Sequence, residues 1–573
     1  MEQTYVIEDV ITKNGMKTLR VNGYYLHSKY NPFLEAENFV LENFKPQNIH
    51  ILFGYGTGII VDAFLKKMSE EDSLIVIEPI LSNISVEDNR VTLINYINKN
   101  QLKNDIANSF TITNNVTICC SPNYDKICTK MYIDFLRVIK DKLAIDRVSE
   151  NTINLMSEEW QRNYLYNIRQ AIHDSSIYEL KKCLTSPIVV VSGGPSLTKQ
   201  LQTIKKYRDK LILIASGSAI NTLLAFSIEP DFVVSIDSQE VNYNHFKELQ
   251  LSHSNFVYLM YSHYKIRESF TNKSFYFLGR GDESFKEHLE KTTTDNVVVL
   301  PGGGSVAHFA LSLATYLTTG PITLIGQDLA FTYNQTHAES NKNFKILTER
   351  EIKSKGFIKA EGYNGDEVLT DYSFMAMKQS FEFLIKNDFN DRLIFNSTEG
   401  GIKLEGFVQI PFGDFCEKYT DEKIKINNKF NKNKDKNIDY ELLIKNFSKE
   451  LENLDTIEVI LRKNLKLMSK NTLKTKFNND ILKKMECNDE EILNLQQKTS
   501  LNVIVDPINL HVLKHFSATK NETPEQAYKR VYNQSKTLYT KYIDAVIKTR
   551  KYTMNLIKKL REDKENEENG CNA

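Results

Sequence analysis

Three short turns rich in glycine and serine, each following an apolar run, carry the residues whose types and spacing could do chemistry. Val189-Val190-Val191 leads into Ser192-Gly193-Gly194-Pro195-Ser196, and Leu213-Ile214-Ala215 into Ser216-Gly217-Ser218. Leu300-Pro301 leads into Gly302-Gly303-Gly304-Ser305. A strand that ends in such a turn and then opens a helix aims free backbone N–H groups at the turn. The helix dipole adds to their field, and the result suits an anion such as phosphate. Proline at 195 fits a first helical turn, where its missing N–H costs nothing. None of these turns reads GxGxxG, and no Gly-Lys-Ser/Thr follows, so they are neither a dinucleotide fingerprint nor a P-loop.

Two acidic residues join the set. Asp237 follows Phe232–Ile236, and Asp328 follows Ile322–Ile325 through Gly326-Gln327. In open parallel sheets, ligands bind outside the carboxyl ends of the strands. The candidate ligand-contacting residues are therefore Gly193, Gly194, Pro195, Ser196, Ser216, Gly217, Ser218, Asp237, Gly303, Gly304, Ser305 and Asp328. Position 235 is Ser, so Asp237 is not part of a DxD metal motif, and no metal site is predicted. About 40 residues of irregular pattern follow Asp328, with glycines at 356, 362 and 365; a loop of that length reads as a lid. His337 and Glu339 within it are candidate bases, as is Asp371 at the start of the next helical pattern. The sequence leaves Asp371 two roles, base or N-cap. His308 lies on the first turn of an apolar helix, where a satisfied core histidine is expected.

The elements that must position these residues alternate. Strand patterns at Ile188–Val191, Leu211–Ala215, Phe232–Ile236, Phe256–Met260, Val297–Leu300, Ile322–Ile325 and Leu393–Phe395 are interleaved with helical ones at Ser196–Tyr207, Ser305–Leu317 and Tyr372–Lys386. That alternation predicts a doubly wound parallel sheet over residues 151–415. Residues 1–150 carry a second strand–helix–strand pattern, Ile49–Phe53, Ile59–Met68 and Leu74–Ile77. The loop Gly54-Tyr55-Gly56-Thr57-Gly58 and the acid Glu78 resemble an S-adenosylmethionine-binding turn, read here as a scaffold or a vestigial nucleotide site. A helix over about 130–184 joins the two regions. Residues 416–573 open on a polar linker, Asn427–Asn437, and continue as glycine-free helical repeats, mildly basic, with an acidic tail from Arg561 expected to fray.

Composition narrows the class. At 573 residues, 41% hydrophobic and 25% charged, the chain is globular rather than disordered. Lys plus Arg equals Asp plus Glu, 73 each, so bulk charge does not favour nucleic acid. The 7 cysteines include no CxxC pair, which argues against a zinc site or a disulfide framework. No leader pattern and no long apolar run is present, so a reduced, soluble, cytoplasmic protein without membrane association is expected.

Val191-Ser192-Gly193-Gly194-Pro195-Ser196-Leu197, Pro230-Asp231 ahead of Ser235-Ile236-Asp237, Gly302–His308, Ile325–Phe331 and Thr398-Glu399-Gly400-Gly401 together resemble the motility-associated-factor (Maf) flagellin glycosyltransferases, as does Leu26-His27-Ser28-Lys29-Tyr30-Asn31-Pro32. The central domain of that family is similar to bacterial sialyltransferases that use CMP-activated sugars. The resemblance implies an α/β protein with a Rossmann-like N-terminal domain (1–150), a central sialyltransferase-like domain (151–415) and an all-helical C-terminal domain (416–573) that could dock flagellin. It implies inverting, metal-independent transfer of a nonulosonic acid of legionaminic or pseudaminic type from its CMP donor to flagellin Ser or Thr, in the service of flagellar assembly. The glycine turns would hold the donor nucleotide, with no cofactor beyond the CMP-sugar co-substrate, and Tyr333 or Tyr363 could donate to the leaving phosphate. Two departures stand out: Asp237 replaces an Asn, and Thr370-Asp371-Tyr372 stands where those sialyltransferases carry a histidine. The central region also resembles archaeal pterin pyrophosphokinases, which use ATP. The remaining alternative is a non-catalytic flagellin chaperone.

Overall fold

The computed structural model describes residues 5–570, apart from 83, 108, 111–114, 421–435, 472, 474 and 519–521. Most of the expected linker lies outside the described residues. Two compact units emerge: residues 1–154, 462–487 and 507–541 form one, and residues 155–461, 488–506 and 542–573 the other.

The first unit holds a four-stranded parallel sheet. In chain order its strands are Ile49–Phe53, Ser73–Glu78, Val91–Asn95 and Val116–Cys120, and they lie 3-2-1-4 across the sheet. This is the Rossmann-like order expected of the region. Ile49–Phe53 is buried throughout, as an inner parallel strand covered on both faces must be. A small antiparallel sheet of Ile7–Ile11, Lys17–Val21 and Tyr24–Tyr25 precedes it. It is absent from the sequence reading because its first strand faces solvent and shows no apolar alternation.

The second unit is built on a sheet of ten strands among the described residues. Named by their first residues, nine of them run Val299, Ser274, Asn255, Phe232, Ile212, Ile188, Ile322, Ile394 and Val408. The tenth, Ser175–Ser176, pairs with Ser274–Gly279. All pairings are parallel. Every side chain of Ile188–Val191 is inaccessible to solvent, which is worth about 1.5–3 kcal/mol for each large apolar residue. Helices cover both faces, so the doubly wound prediction holds, with boundaries shifted by one or two residues. Ser274–Gly279, a fully buried strand, is an addition: its aromatic run Phe275-Tyr276-Phe277 shows no period to separate strand from helix.

The long central helix runs Thr129–Ala171, shorter than expected. It stops because Asp174 is claimed elsewhere, accepting two hydrogen bonds of 2.6 Å from Arg267 and one of 2.8 Å from the Tyr258 hydroxyl. The segment 332–370 is also more ordered than its pattern suggests. It contains the helix Glu349–Ser354, started by a Thr348/Glu351 capping box, and a hairpin of Ile358–Glu361 with Glu367–Thr370. The C-terminal helices do not gather into a unit of their own but are shared between the two units. No helix among the described residues is long and apolar enough to cross a membrane.

The acidic tail does not fray over its described length: the helix Pro524–Gly570 carries it. Asp563 accepts a forked pair of hydrogen bonds from Arg169, both 2.7 Å, and Glu441 takes Lys564 at 2.7 Å. Charge pairing replaces the apolar anchoring that the tail lacks. Deleting residues 561–573 should lower the thermal unfolding midpoint by a few degrees, because it strands the Arg169 guanidinium. Asp563→Ala should reproduce most of that loss in a melting experiment.

Candidate functional site

Strands Ile188–Val191, Ile212–Ser216 and Phe232–Ser235 lie side by side, so their carboxyl ends open on one edge. Ile322–Ile325 pairs with the other side of Ile188–Val191, and the chain reverses its direction of travel across the sheet at that pair. Such a switch point is where open sheets bind ligands. Here the immediate crevice is filled by the protein itself. The carboxylate of Asp328 lies at the start of helix Leu197–Tyr207, where the sequence pattern places an anion. It accepts the Ser196 N–H (3.1 and 3.2 Å), the Ser196 hydroxyl (2.7 Å) and the Thr332 hydroxyl (2.7 Å). Both Ser196 and Asp328 are buried. Gly194 and Gly401 are required by close approach, since a Cβ on either would collide with Asp328. Burial raises the Asp328 carboxyl above its ordinary pKa, and the hydrogen bonds from Ser196 and Thr332 oppose the rise. Ser196 and Asp328, both assigned to the donor from sequence, are thus engaged with each other.

The neighbouring tips are joined as well. The Ser192 hydroxyl donates to Gln327 (2.5 Å), and that of Ser216 to the Val191 carbonyl (3.2 Å). A Cβ on Gly193 would stand 2.8 Å from the Ser218 hydroxyl and 3.2 Å from the Asn341 amide. Asn341 donates to the Ser218 carbonyl (2.7 Å), and the Ala338 N–H to that of Gly193 (3.0 Å). The segment predicted as a lid is therefore docked on two strand tips. Asn341 was missed from sequence because nothing in its local pattern separates it from other loop asparagines. Asn242, also missed, ties Ser235 to Asp237: its amide donates to the Ser235 hydroxyl (3.0 Å) and the Asp237 carbonyl (3.1 Å). Solvent reaches the Asp237 side chain, yet surrounding protein desolvates its carboxyl enough to raise the pKa.

The third turn differs from the first. Helix Val306–Leu317 packs on strands Ile188–Val191, Ile212–Ser216 and Phe232–Ser235. It connects two parallel strands, so its N-terminus opens at the same edge as their tips. Gly302 is pressed on Phe309 and Gly303 on Ser380, whereas Gly304 is exposed with open space around it. Among the described residues, the N–H groups of Gly303 and Gly304 have no acceptor. Ser305 caps the helix with His308, whose Nδ1 accepts the Ser305 N–H (3.2 Å). His308 Nε2 therefore carries the proton and donates to the Met377 carbonyl (2.8 Å). Burial lowers the His308 pKa to about 4, so the ring is neutral and structural.

The candidate bases are spread apart in environment. Asp371 caps helix Tyr372–Asn387, accepting the Phe374 N–H at 2.8 Å. Glu339 is exposed, its N–H bound to Thr198 (3.0 Å). His337 is half-buried next to Ala338, its Nδ1 enclosed without a partner, and burial with nearby His245 lowers its pKa. Of the tyrosines, Tyr333 is exposed and hydrogen-bonded to Lys199, and the Tyr363 hydroxyl, pushed up to about 12 by burial, points to the Asn396 carbonyl (3.4 Å). No group of three or more His, Cys, Asp or Glu among the described residues could hold a metal ion.

In the other unit the loop Gly54–Gly58 is sealed. The Tyr55 N–H donates to Glu78 (2.7 Å), that of Gly56 to the Tyr124 hydroxyl (2.9 Å) and that of Thr57 to His27 Nε2 (3.1 Å). Glu78 also accepts from Ile80 N–H (2.6 Å), Leu81 N–H (2.9 Å) and the Tyr124 hydroxyl (2.8 Å), and the Tyr124 ring fills the space beside Gly54. The donors and the acid that a ribose or phosphate needs are already paired.

Residues 162–334 match the family model described as 6-hydroxymethylpterin diphosphokinase MptE-like. Two proteins of Treponema pallidum (strain Nichols), neither with an assigned function, are similar in parts. One is 31% identical over 85 residues, 15% of this chain and 40% of that protein; the other is 22% identical over 214 residues, 34% of this chain and 72% of that protein. The solved structure of the Maf glycosyltransferase from Magnetospirillum magneticum AMB-1 aligns over 99% of this chain and 96% of its own, with a TM-score of 0.52 and 14% identity. That likeness establishes a shared mixed α/β fold with parallel sheets and a helical C-terminal region.

Asp328→Ala should cost about 3 kcal/mol in urea unfolding, because the two buried donors of Ser196 and the half-buried Thr332 hydroxyl lose their acceptor. Ser196→Ala, which removes one donor, should cost less. For His308, the folded pKa of about 4 lies below the ordinary 6.5, so its stabilisation is complete above pH 6.5 and lost as pH falls towards 4. The amount is about 3 kcal/mol at the 1.4 kcal/mol per unit of linkage. His308→Gln keeps an acceptor for Ser305 and should flatten that acid loss when stabilities at pH 7.5 and pH 5 are compared.

Proposed function

We propose that this protein is a glycosyltransferase that moves a nonulosonic acid from a CMP donor to Ser or Thr hydroxyls of flagellin, in the cytoplasm. The observation that carries the reading is the pair of free amides at Gly303 and Gly304, on the same sheet edge as the exposed Asp237 carboxylate. The near full-length likeness in fold to a Maf glycosyltransferase adds support. Cleaving the sugar–phosphate bond builds positive charge on the sugar ring and negative charge on the departing phosphate. The free Gly303 and Gly304 amides, backed by the dipole of helix Val306–Leu317, stabilise that phosphate. Asp237 orients the nucleoside by accepting from its hydroxyl or amino groups. A neutral imidazole accepts a proton at pH 7, so His337 is the preferred base for the acceptor hydroxyl, ahead of the capping Asp371 and the exposed Glu339.

The match of residues 162–334 to a diphosphokinase-like family favours a second reading, diphosphate transfer from ATP to a pterin. Purified protein incubated with flagellin and CMP-nonulosonates, in parallel with ATP, magnesium and 6-hydroxymethylpterin, separates the two. The first reading expects a CMP-dependent mass gain on flagellin that persists in chelator; pterin diphosphate without a mass gain overturns it. His337→Ala should slow transfer by about 100-fold or more with donor affinity retained. Asp237→Asn should weaken CMP binding. It should also raise the unfolding midpoint at pH 7, because a carboxyl with a raised folded pKa subtracts stability as pH rises through that value.

A further inference from the structure

Residues 333–347 form a hairpin inside the segment that follows Asp328. Its stem closes through the Gln335–Ile346 bridge, the Thr336 N–H on the Lys345 carbonyl (2.9 Å) and the Leu347 N–H on that of Asn334 (2.7 Å). Its tip reaches the carboxyl ends of strands Ile188–Val191 and Ile212–Ser216. There the Ala338 N–H donates to the Gly193 carbonyl (3.0 Å), the Glu339 N–H to the Thr198 hydroxyl (3.0 Å) and the Asn341 amide to the Ser218 carbonyl (2.7 Å). Little apolar burial backs these bonds. From 333 to 346 only Ala338 and Asn341 are buried, while Tyr333 is 62% and Ile346 59% exposed. A segment held by a few polar contacts belongs to the least stable part of a fold.

The backbone of the hairpin is strained at its foot. Of the eleven non-glycine residues with positive φ among the described residues, four lie between 329 and 340: Leu329 (47°), Tyr333 (57°), Asn334 (57°) and Ser340 (65°). Tyr333 and Asn334 are consecutive, and they follow Phe331, which is anchored on the rings of Phe357 (4.6 Å) and Phe374 (5.2 Å). A swing of the stem that returns both residues to an ordinary region releases that strain. The tip also carries His337. Its ring donates to the Asn343 backbone, and its other nitrogen, Nδ1, is enclosed without a partner. While the hairpin is docked, no substrate hydroxyl reaches that lone pair.

We infer that the 333–347 hairpin is an autoinhibitory latch that pivots at Tyr333–Asn334. Docked, it covers the strand tips at Gly193 and Ser218 and shuts His337 Nδ1 away. Lifted, it frees both at once, and the relaxed backbone at its foot offsets part of the hydrogen bonding lost at its tip. The latch stands on the hairpin's own contacts and dihedral angles. Its consequence for catalysis rests on reading His337 as the base.

The test is hydrogen exchange of the full chain, read by mass spectrometry on peptides covering 336–342 and 188–191. In the wild type the first should exchange at least 100-fold faster than the second. The Asn334 side chain is exposed, so its replacement leaves the packing intact. Asn334→Val, whose branched side chain resists the left-handed region, should speed exchange at 336–342 at least tenfold. Asn334→Gly should leave it at or below the wild-type rate, and both should leave 188–191 unchanged. Acylation of His337 by diethyl pyrocarbonate should follow the same order, at least tenfold faster in Asn334→Val than in the wild type. Exchange of 336–342 in step with 188–191 in both the wild type and Asn334→Val overturns the latch. So does acylation of His337 in the wild type as fast as in the unfolded chain. If exchange and acylation behave as expected while no variant transfers from a CMP-sugar, the latch stands and the reading of His337 as a base fails.

Discussion

A single buried carboxylate organises the middle of this protein. Asp328 stands where the dipole of helix Leu197–Tyr207 would draw an anion, and it takes the helix's leading donors for itself. That placement ties the tips of strands Ile188–Val191 and Ile322–Ile325 together. It also demands glycine at 194 and 401, where any side chain would strike Asp328. The Gly-Gly-Pro-Ser turn, which on pattern alone is an anion cradle, is thereby a structural joint whose anion is internal. The backbone donors left without an acceptor among the described residues lie elsewhere along the edge, at Gly303 and Gly304.

The fold was largely legible because parallel strands buried on both faces leave unmistakable runs, as in Ile188-Val189-Val190-Val191 and Ile322-Thr323-Leu324-Ile325. Legibility failed where the signal is not apolar periodicity. Ser274–Gly279 is a strand because of its neighbours, since its aromatic run fits either period. Ile7–Ile11 faces solvent, so burial never shaped its sequence. The helix through Arg561 looked unsupported because its support is Arg169, nearly 400 positions earlier in the chain. Partners so remote cannot be read from composition, and the tail's charges were taken for solvation.

The site was legible as a set of turns and hidden as a set of contacts. Gly193, Ser218 and Asp237 do meet at one edge, through strand order. Their bridging residues, Asn341 and Asn242, carry no motif and become visible only when the 336–345 segment and helix Glu240–Phe246 are placed. Asp371 shows the same limit from the other side. Its spacing fits a base and an N-cap equally, and the hydrogen bond from Phe374 makes it a cap without removing its second oxygen.

Three glycine-rich turns of the chain divide according to who supplies the acceptor. At Gly54–Gly58 it is Glu78, Tyr124 and His27; at Gly193–Ser196 it is Asp328. At Gly302–Ser305 the chain supplies His308 to Ser305 alone and leaves the two amides before it unmatched. Gly304 is exposed, so its N–H stands open to solvent rather than sealed by the chain.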